Sequence, residues 1–181
     1  FPPVVRTIHD DRPFALTGQL LNWVPQAQAP PIEYPCFVCP SLAAADRLSQ
    51  SMWGLVVRTV WHGLPVDRHP FSNEARNGRL LFLGRMQKIK GPDSAIEVAR
   101  AAGIGIDLIG SDWHLGPNDT FPQRVKNLCD GKQLVYHGEV THEKKIEFLQ
   151  NASALIVPSV FSEPYGLIVP EANFCGTPVI A

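Results

Sequence analysis

The sequence lacks a surplus of charge of either sign. Its 181 residues include 16 lysines and arginines against 17 aspartates and glutamates, so the net charge is −1. A protein that binds nucleic acid or anionic lipid non-specifically needs a positive surplus on its surface. We therefore expect no nucleic-acid partner, and an anionic ligand would have to be bound by a few local cations.

Long apolar runs and a disulfide framework are also missing. No uninterrupted apolar run approaches the roughly 20 residues that span a bilayer, and the first residues show no basic segment followed by an apolar one. The 4 cysteines are too few for a disulfide framework in a chain of this length. These absences predict a cytoplasmic protein without a transmembrane segment, and they leave peripheral attachment to a membrane open.

Several familiar catalytic motifs are absent as well. The chain has no Gly-x-x-x-x-Gly-Lys-Ser/Thr phosphate loop, no Gly-x-Gly-x-x-Gly after a strand, no Gly-x-Ser-x-Gly elbow and no His-Glu-x-x-His helix. It also has no Asp-x-Asp pair to hold Mg²⁺. A diphosphate would therefore be bound by cationic side chains and helix dipoles, and we expect neither a metal ion nor a cofactor.

Short apolar runs alternate with helix-like stretches along most of the chain, which favours an α/β fold with parallel sheets. A helix over residues 92–102 has proline in its first turn and stops at Gly103, and Thr141 can cap another helix. We predict two α/β units, residues 1–73 and residues 74–181, the second better defined. The predicted strands of the second unit are 79–84, 106–110, 134–137, 154–157 and 178–180.

Two cations follow the first of these strands, in the segment 84–91, GRMQKIKG. In open α/β sheets, ligands bind beyond the carboxyl ends of strands. Arg85 offers a planar fork and Lys90 a point charge, which together suit a diphosphate whose leaving oxygen gains charge in the transition state. Taken alone, the segment could equally be a solvated basic loop.

Two glutamates flank a predicted helix start in the segment 162–172, SEPYGLIVPEA. Gly166 is expected to open the helix, whose free N–H groups would form an anion site. Glu163 lies in the preceding loop and Glu171 more than one turn inside the helix, so the two carboxylates could bind different parts of a polyhydroxylated ligand. Pro170, inside the expected helix, would remove a hydrogen bond or confine the site to the first turns.

These motifs, followed by CGTPVIA at residues 175–181, resemble the retaining nucleotide-sugar glycosyltransferases of family 4 in order and spacing. The resemblance covers about residues 79–181, and residues 1–73 are similar more loosely. It implies the GT-B architecture, in which two Rossmann-like domains face each other across a cleft. The family's first strands would precede residue 1 and its closing helix would follow residue 181, so the chain resembles the middle of such an enzyme.

The resemblance also implies roles for individual residues. Arg85 and Lys90 would bind the diphosphate, Glu171 the ribose hydroxyls and Glu163 the donor sugar. His9 would approach the transferred sugar from the other domain, unless it is an ordinary core or loop histidine. The implied catalytic residues are Arg85, Lys90, Glu163 and His9, and the implied nucleotide- and diphosphate-binding residues are Gly84, Arg85, Lys90, Gly110, Gly166, Leu167 and Glu171.

The function implied by the resemblance is transfer of a hexosyl group from a nucleoside-diphosphate sugar to a hydroxyl acceptor, with retention of configuration and without a metal ion. The acceptor could be a sugar, a lipid-linked molecule or a small molecule. One alternative is a catalytically inactive nucleotide-sugar-binding module. Another is a sugar phosphorylase of this architecture, which would use inorganic phosphate and pyridoxal phosphate. The sequence predicts no oligomeric state.

Overall fold

The structure is a computed structural model that describes residues 5–7, 36–51, 56–112, 119–161 and 163–181. The chain separates into two compact units, residues 1–63 with 163–166 and residues 64–162 with 167–181. The boundary between them lies earlier than the predicted one at residues 73 and 74. No helix in these ranges is long and apolar enough to cross a bilayer.

The first unit contains a three-stranded parallel sheet with the strand order β1-β2-β3. Its helix α1 follows β2, and the Ser41 hydroxyl caps it by accepting a hydrogen bond of 3.2 Å from the amide of Ala44. Leu48 of the helix is fully buried. The elements are β1 (Val5–Thr7), β2 (Cys36–Cys39), α1 (Leu42–Ser51) and β3 (Val56–Thr59).

The second unit contains a five-stranded parallel sheet with the order β6-β5-β4-β7-β8. This is the order of a Rossmann-like sheet. Successive strands are added on one side of β4 up to β6 and then on the other side from β7, so the strand order reverses between β4 and β7. The strands are β4 (Leu80–Leu83), β5 (Ile106–Ile109), β6 (Leu134–Gly138), β7 (Ala154–Ile156) and β8 (Val179–Ile180). The helices are α2 (Pro92–Ala102), α3 (Phe121–Leu128), α4 (His142–Asn151) and α5 (Ile168–Phe174), with 3₁₀ turns at Val66–Arg68 and Lys88–Lys90.

The central strand β4 is buried on both faces, which sorts the helices into two layers. Its alternate residues Leu80 and Phe82 pack in one apolar cluster with residues of α2 and α3. Leu81 and Leu83 pack in a second cluster with residues of α4 and α5. The sheet is therefore the middle of three layers, as a strand of consecutive apolar residues requires.

The predicted ends of α2 and the predicted cap of α4 are confirmed. The helix α2 runs over Pro92–Ala102, and Gly103, with φ of 67°, closes it in the left-handed conformation. Thr141 caps α4, since its hydroxyl accepts a hydrogen bond of 3.3 Å from the amide of Lys144. The helix α3 was not predicted, because it is short and shows only three apolar residues among polar ones.

The segment before β4 is attached to the second unit, which explains the early boundary. The Arg76 guanidinium donates to the carbonyls of Gly176 at 2.7 Å, Ser72 at 3.0 Å and Gln150. The Gln150 side chain donates to the Pro70 carbonyl at 2.8 Å. One arginine thus joins the connection to the ends of α4 and α5.

A buried ionic network connects β4, β5 and β6. Asp107 is 6% exposed, and its carboxylate accepts hydrogen bonds from Arg79 at 2.7 and 3.2 Å and from His137 at 2.8 Å. Burial alone would raise the pKa of Asp107, but the hydrogen bonds and charges of Arg79 and His137 outweigh it and hold that pKa below its usual value. The carboxylate is therefore ionised and stabilising at neutral pH.

Asp107→Asn should lower the free energy of unfolding at pH 7 by about 2–4 kcal/mol, because Arg79 loses its buried counter-ion. A lowered folded-state pKa contributes stability above the unfolded pKa of about 4, and this stability is lost as the pH falls through the folded-state value. Urea denaturation at pH 7 should therefore show a large difference in the free energy of unfolding between wild type and variant. At pH 3 this difference should be smaller. Glu97→Gln, at an exposed position on α2, is the matched control. An equal effect of both variants at pH 7, or a gap that widens in acid, would contradict the network.

Candidate functional site

A cleft of about 430 Å³ opens where the second sheet's strands end. It is lined by the carboxyl ends of β4 and β5, by the start of α4 with the three residues before it, and by the start of α5. Its size falls within the roughly 300–1,000 Å³ of small-molecule sites. It also lies next to the point where the strand order reverses, which is where Rossmann-like sheets bind ligands.

Two glycines form the side of the cleft where β4 and β5 end. The Gly84 amide donates to the Ile109 carbonyl at 3.0 Å, and the Gly110 amide donates to the Gly138 carbonyl at 2.9 Å. A Cβ atom on Gly110 would lie 1.7 Å from the Gly84 carbonyl oxygen. Only glycine allows this close approach of the two strand ends.

Tyr136 fixes the carbonyl of Gly110. Its hydroxyl donates to that oxygen at 3.0 Å, and Lys126 lies 5.2 Å from its ring centroid. Burial raises the pKa of Tyr136 above its usual value. The hydroxyl therefore stays protonated at neutral pH and keeps donating to the strand end.

Arg85 is the cation that the structure places in the cleft. It is partly buried, and no residue in the described ranges forms a hydrogen bond or ion pair with its guanidinium. A partly desolvated guanidinium without a protein partner is well suited to an anionic ligand, since it presents several donors in a fixed plane.

Lys90 lies elsewhere. It ends the 3₁₀ turn after Arg85, and its ammonium nitrogen is 4.6 Å from the ring centroid of Phe161. The Val160 amide donates to the Ile89 carbonyl at 3.0 Å, which joins this turn to the loop after β7. Lys90 is therefore not among the residues that line the cleft.

Glu171 lines the cleft from the first turn of α5. The helix begins at Ile168, after Gly166 and Leu167, so Glu171 is not more than one turn inside it as expected. Pro170 also falls in this first turn, where its missing N–H costs the helix no hydrogen bond. The proline is thus compatible with the helix and keeps Glu171 near its start.

The Glu171 carboxylate is held by one of its two oxygens. Oε1 accepts a hydrogen bond of 2.8 Å from the Lys145 ammonium group on α4, and the Nε2 atom of His69 lies 3.6 Å from the same oxygen. In the described part of the chain, Oε2 has no hydrogen-bond partner. Glu171 can therefore accept hydrogen bonds from a ligand while its other oxygen stays fixed.

The structure brings together part of the set of residues implied by the sequence. Glu163 and Gly166 lie in the segment 163–166, which groups with the first unit, and they do not line the cleft. His9 lies outside the described residues. The implied residues that do line the cleft are Gly84, Arg85, Gly110, Leu167 and Glu171.

Sequence reasoning missed Lys145 and His69. Lys145 could have been found, because it lies one turn after the predicted cap Thr141, on a helix that starts at the carboxyl edge of the sheet. His69 left no local signal, since its contact with Glu171 spans about a hundred residues of sequence and depends on the attachment of its segment to the second unit.

The model of the family described as "Glycosyl transferases group 1" matches residues 67–181. This chain belongs to that family. Among its relatives is the D-inositol 3-phosphate glycosyltransferase of Acidothermus cellulolyticus, which is 32% identical over 174 residues, covering 77% of this chain and 39% of the relative. The enzyme of the same name from Mycolicibacterium smegmatis is 31% identical over 122 residues, covering 66% of this chain and 26% of the relative.

Solved glycosyltransferase structures confirm the predicted GT-B type of fold. Anabaena HepE, crystallised with UDP and glucose, superimposes with a TM-score of 0.75 at 18% identity and covers 99% of this chain and 52% of its own. Sucrose-phosphate synthase from Thermosynechococcus elongatus gives a TM-score of 0.69 at 22% identity, with 98% and 49% coverage. The chain thus spans about half the length of these two solved structures. It spans a smaller share of the length of the two D-inositol 3-phosphate glycosyltransferases.

Gly110→Ala should destabilise the second unit by about 3 kcal/mol or more, because the new methyl group would overlap a backbone carbonyl that cannot move aside. Gly138→Ala is the matched control: Gly138 has a φ of 74°, but a Cβ atom there meets nothing within 4 Å. Its cost should be limited to backbone strain, about 1–2 kcal/mol. Urea denaturation measures both, and equal costs would show that the strand ends do not need the close approach.

Proposed function

We propose that this protein is a retaining glycosyltransferase that moves a hexosyl group from a nucleoside-diphosphate sugar to a hydroxyl acceptor. The observation that carries the proposal is that one cleft holds both the Arg85 guanidinium and the Glu171 carboxylate. Among the described residues, nothing pairs with the guanidinium and only Oε1 of the carboxylate is bonded. Membership of the group 1 glycosyl transferases supplies the reaction class. HepE, whose fold is similar, was crystallised with UDP and glucose.

In this proposal the nucleotide occupies the cleft in one orientation. Glu171 accepts hydrogen bonds from the ribose hydroxyls through Oε2, and Arg85 binds the diphosphate. Gly84 and Gly110 line the cleft beside Arg85, so the diphosphate lies against the strand ends. The amides near Gly166 and Leu167 add donors to the phosphates.

The chemistry needs stabilisation of the leaving group. The bond between the anomeric carbon and the diphosphate oxygen breaks, and Arg85 stabilises the charge that the diphosphate gains. In this proposal Lys90 joins it by turning its flexible side chain from the Phe161 ring toward the bound diphosphate. The acceptor oxygen bonds to the anomeric carbon on the face that the diphosphate leaves, and its proton passes to a diphosphate oxygen. Configuration is retained without a covalent nucleophile. Glu163 orients the transferred sugar, and His9 approaches that sugar.

Metal independence is part of the proposal. The sequence contains no Asp-x-Asp pair, and cationic side chains at the strand end can take the place of a divalent ion at the diphosphate. The nucleoside diphosphate sugar is then the only small molecule needed besides the acceptor, and no cofactor is involved.

Arg85→Ala should lower the rate of nucleoside diphosphate release from UDP- or GDP-hexoses by about 100-fold or more, because a preorganised charge is lost from the transition state. The assay should contain EDTA, and D-inositol 3-phosphate should be among the acceptors tested. Arg124→Ala is the matched control, since Arg124 is an exposed arginine paired with Asp93 and should leave the rate near that of wild type.

Three results would contradict this account. Equal rates for Arg85→Ala and wild type would remove Arg85 from the reaction. A rate that disappears in EDTA and returns with Mg²⁺ or Mn²⁺ would show metal dependence. If the protein binds the nucleotide sugar but releases no nucleoside diphosphate with any acceptor tested, it is only a nucleotide-sugar-binding module.

The two glutamates should respond differently to removal of their charge. Glu171→Gln should weaken the binding of free nucleoside diphosphate and of nucleotide sugar alike, because its contact with ribose exists in both. Glu163→Gln should bind free nucleoside diphosphate like wild type and lose rate, because its contact is with the sugar. Calorimetry and turnover measure the two effects. The roles are wrong if Glu163→Gln loses nucleotide affinity as strongly as Glu171→Gln does.

A further inference from the structure

His69 is a buried histidine that the proposed reaction does not use. It is 3% exposed and follows the 3₁₀ turn Val66–Arg68. Its Nδ1 atom lies 2.9 Å from the Pro65 carbonyl oxygen. A carbonyl can only accept a hydrogen bond, so Nδ1 carries a proton and donates it, which fixes the plane of the ring.

The other ring nitrogen has no such partner. Nε2 is buried, and none of the described residues forms a hydrogen bond with it. Buried polar atoms without a hydrogen bond are rare in native proteins because they cost stability. The polar group that Nε2 faces is the Glu171 carboxylate, at 3.6 Å from Oε1.

The neighbours of this pair leave the carboxylate little freedom. Lys145 binds Oε1 from α4 at 2.8 Å. The ring of His142 packs edge-on against His69 at a centroid distance of 5.4 Å, and its Nε2 donates to the Arg68 carbonyl at 3.1 Å. Glu171, Lys145 and His142 are thus charged or titratable groups near His69, and Cys175 lies close enough to Glu171, Lys145 and Arg76 to interact electrostatically with them. His69 and Lys145 approach the same oxygen of Glu171.

We propose that His69 is a positioning residue for the nucleotide. With a proton on Nε2 as well as on Nδ1, it joins Lys145 in committing Oε1 of Glu171 to the protein side, so that Oε2 is presented to the ribose hydroxyls. This inference rests on the proposed function of Glu171. His69 does not touch the ligand, since its ring is buried, and it acts through the orientation of the carboxylate alone.

Substitution of His69 by asparagine or glutamine distinguishes the roles of the two ring nitrogens, because each side-chain amide can replace only one of them. In His69→Asn the amide nitrogen can replace Nδ1 and keep the bond to Pro65, but nothing replaces Nε2. In His69→Gln the longer side chain can place its amide nitrogen near the position of Nε2 and donate to Glu171. A loss in the first variant that is restored in the second would assign the effect to the contact with Glu171.

The measurement is calorimetric titration with a nucleoside diphosphate and its 2′-deoxy analogue, as the uridine or the guanosine pair, whichever wild type binds. Wild type should prefer the ribonucleotide by about tenfold, as loss of one hydrogen bond to a charged group predicts. His69→Asn should bind the ribonucleotide about tenfold more weakly and the deoxynucleotide unchanged, and His69→Gln should recover most of the preference. His137→Phe, which removes another histidine–carboxylate contact, should keep the preference.

The outcomes separate this inference from the proposed function. If wild type prefers the ribonucleotide and folded His69→Asn keeps the full preference, the positioning role is wrong and the role of Glu171 stands. If wild type shows no preference, the role of Glu171 is wrong, and the inference fails with it. If His69→Asn lowers the affinity for both nucleotides equally, His69 has only a structural role, and this result would also overturn the proposal.

Discussion

The rest of the second unit depends on one constraint, which is that strand β4 must be buried on both faces. Its four apolar residues alternate between two clusters, so neither face can be left to water and two helix layers are required. Because β4 is also the central strand, its carboxyl end opens next to the reversal in strand order. The residues that follow it, Gly84 and Arg85, therefore enter the cleft directly.

The site combines three kinds of contribution from different parts of the chain. Close packing of the strand ends, which depends on Gly110, forms one side of the cleft. Arg85 supplies a cation that no described residue pairs with, and Glu171 supplies a carboxylate whose Oε2 has no partner in the described part of the chain. The connection before β4 contributes as well, because its attachment through Arg76 holds the segment that carries His69 in place beside α5.

Much of the fold could be predicted from the sequence because its signals are local. Proline in the first turn and glycine at the end determine α2, and Thr141 caps α4, as predicted. The apolar runs locate the strands because a strand buried on both faces is made mostly of apolar residues. The helix α3 was missed, since a short surface helix with three apolar residues gives a weak periodic signal.

The candidate site could be predicted only in part, because local signals locate some of its residues and long-range contacts place the others. Arg85 and Gly110 follow strand ends, so their positions come from the topology of a parallel sheet. The start of α5 was placed too early, because Gly166 has a left-handed φ of 75° and precedes the helix instead of opening it. His69 meets Glu171 only through a tertiary contact that no sequence spacing reveals, whereas Lys145 could have been located from its place one turn after the cap Thr141.

The central claim is that the cleft at the ends of β4 and β5 binds a nucleoside diphosphate in a defined orientation. A crystal structure of the protein with UDP or GDP tests it most directly. The account predicts ribose hydroxyls at about 3 Å from the Glu171 carboxylate and phosphate oxygens at about 3 Å from the Arg85 guanidinium. A nucleotide bound in the reverse orientation, or at a site that includes neither residue, would contradict it.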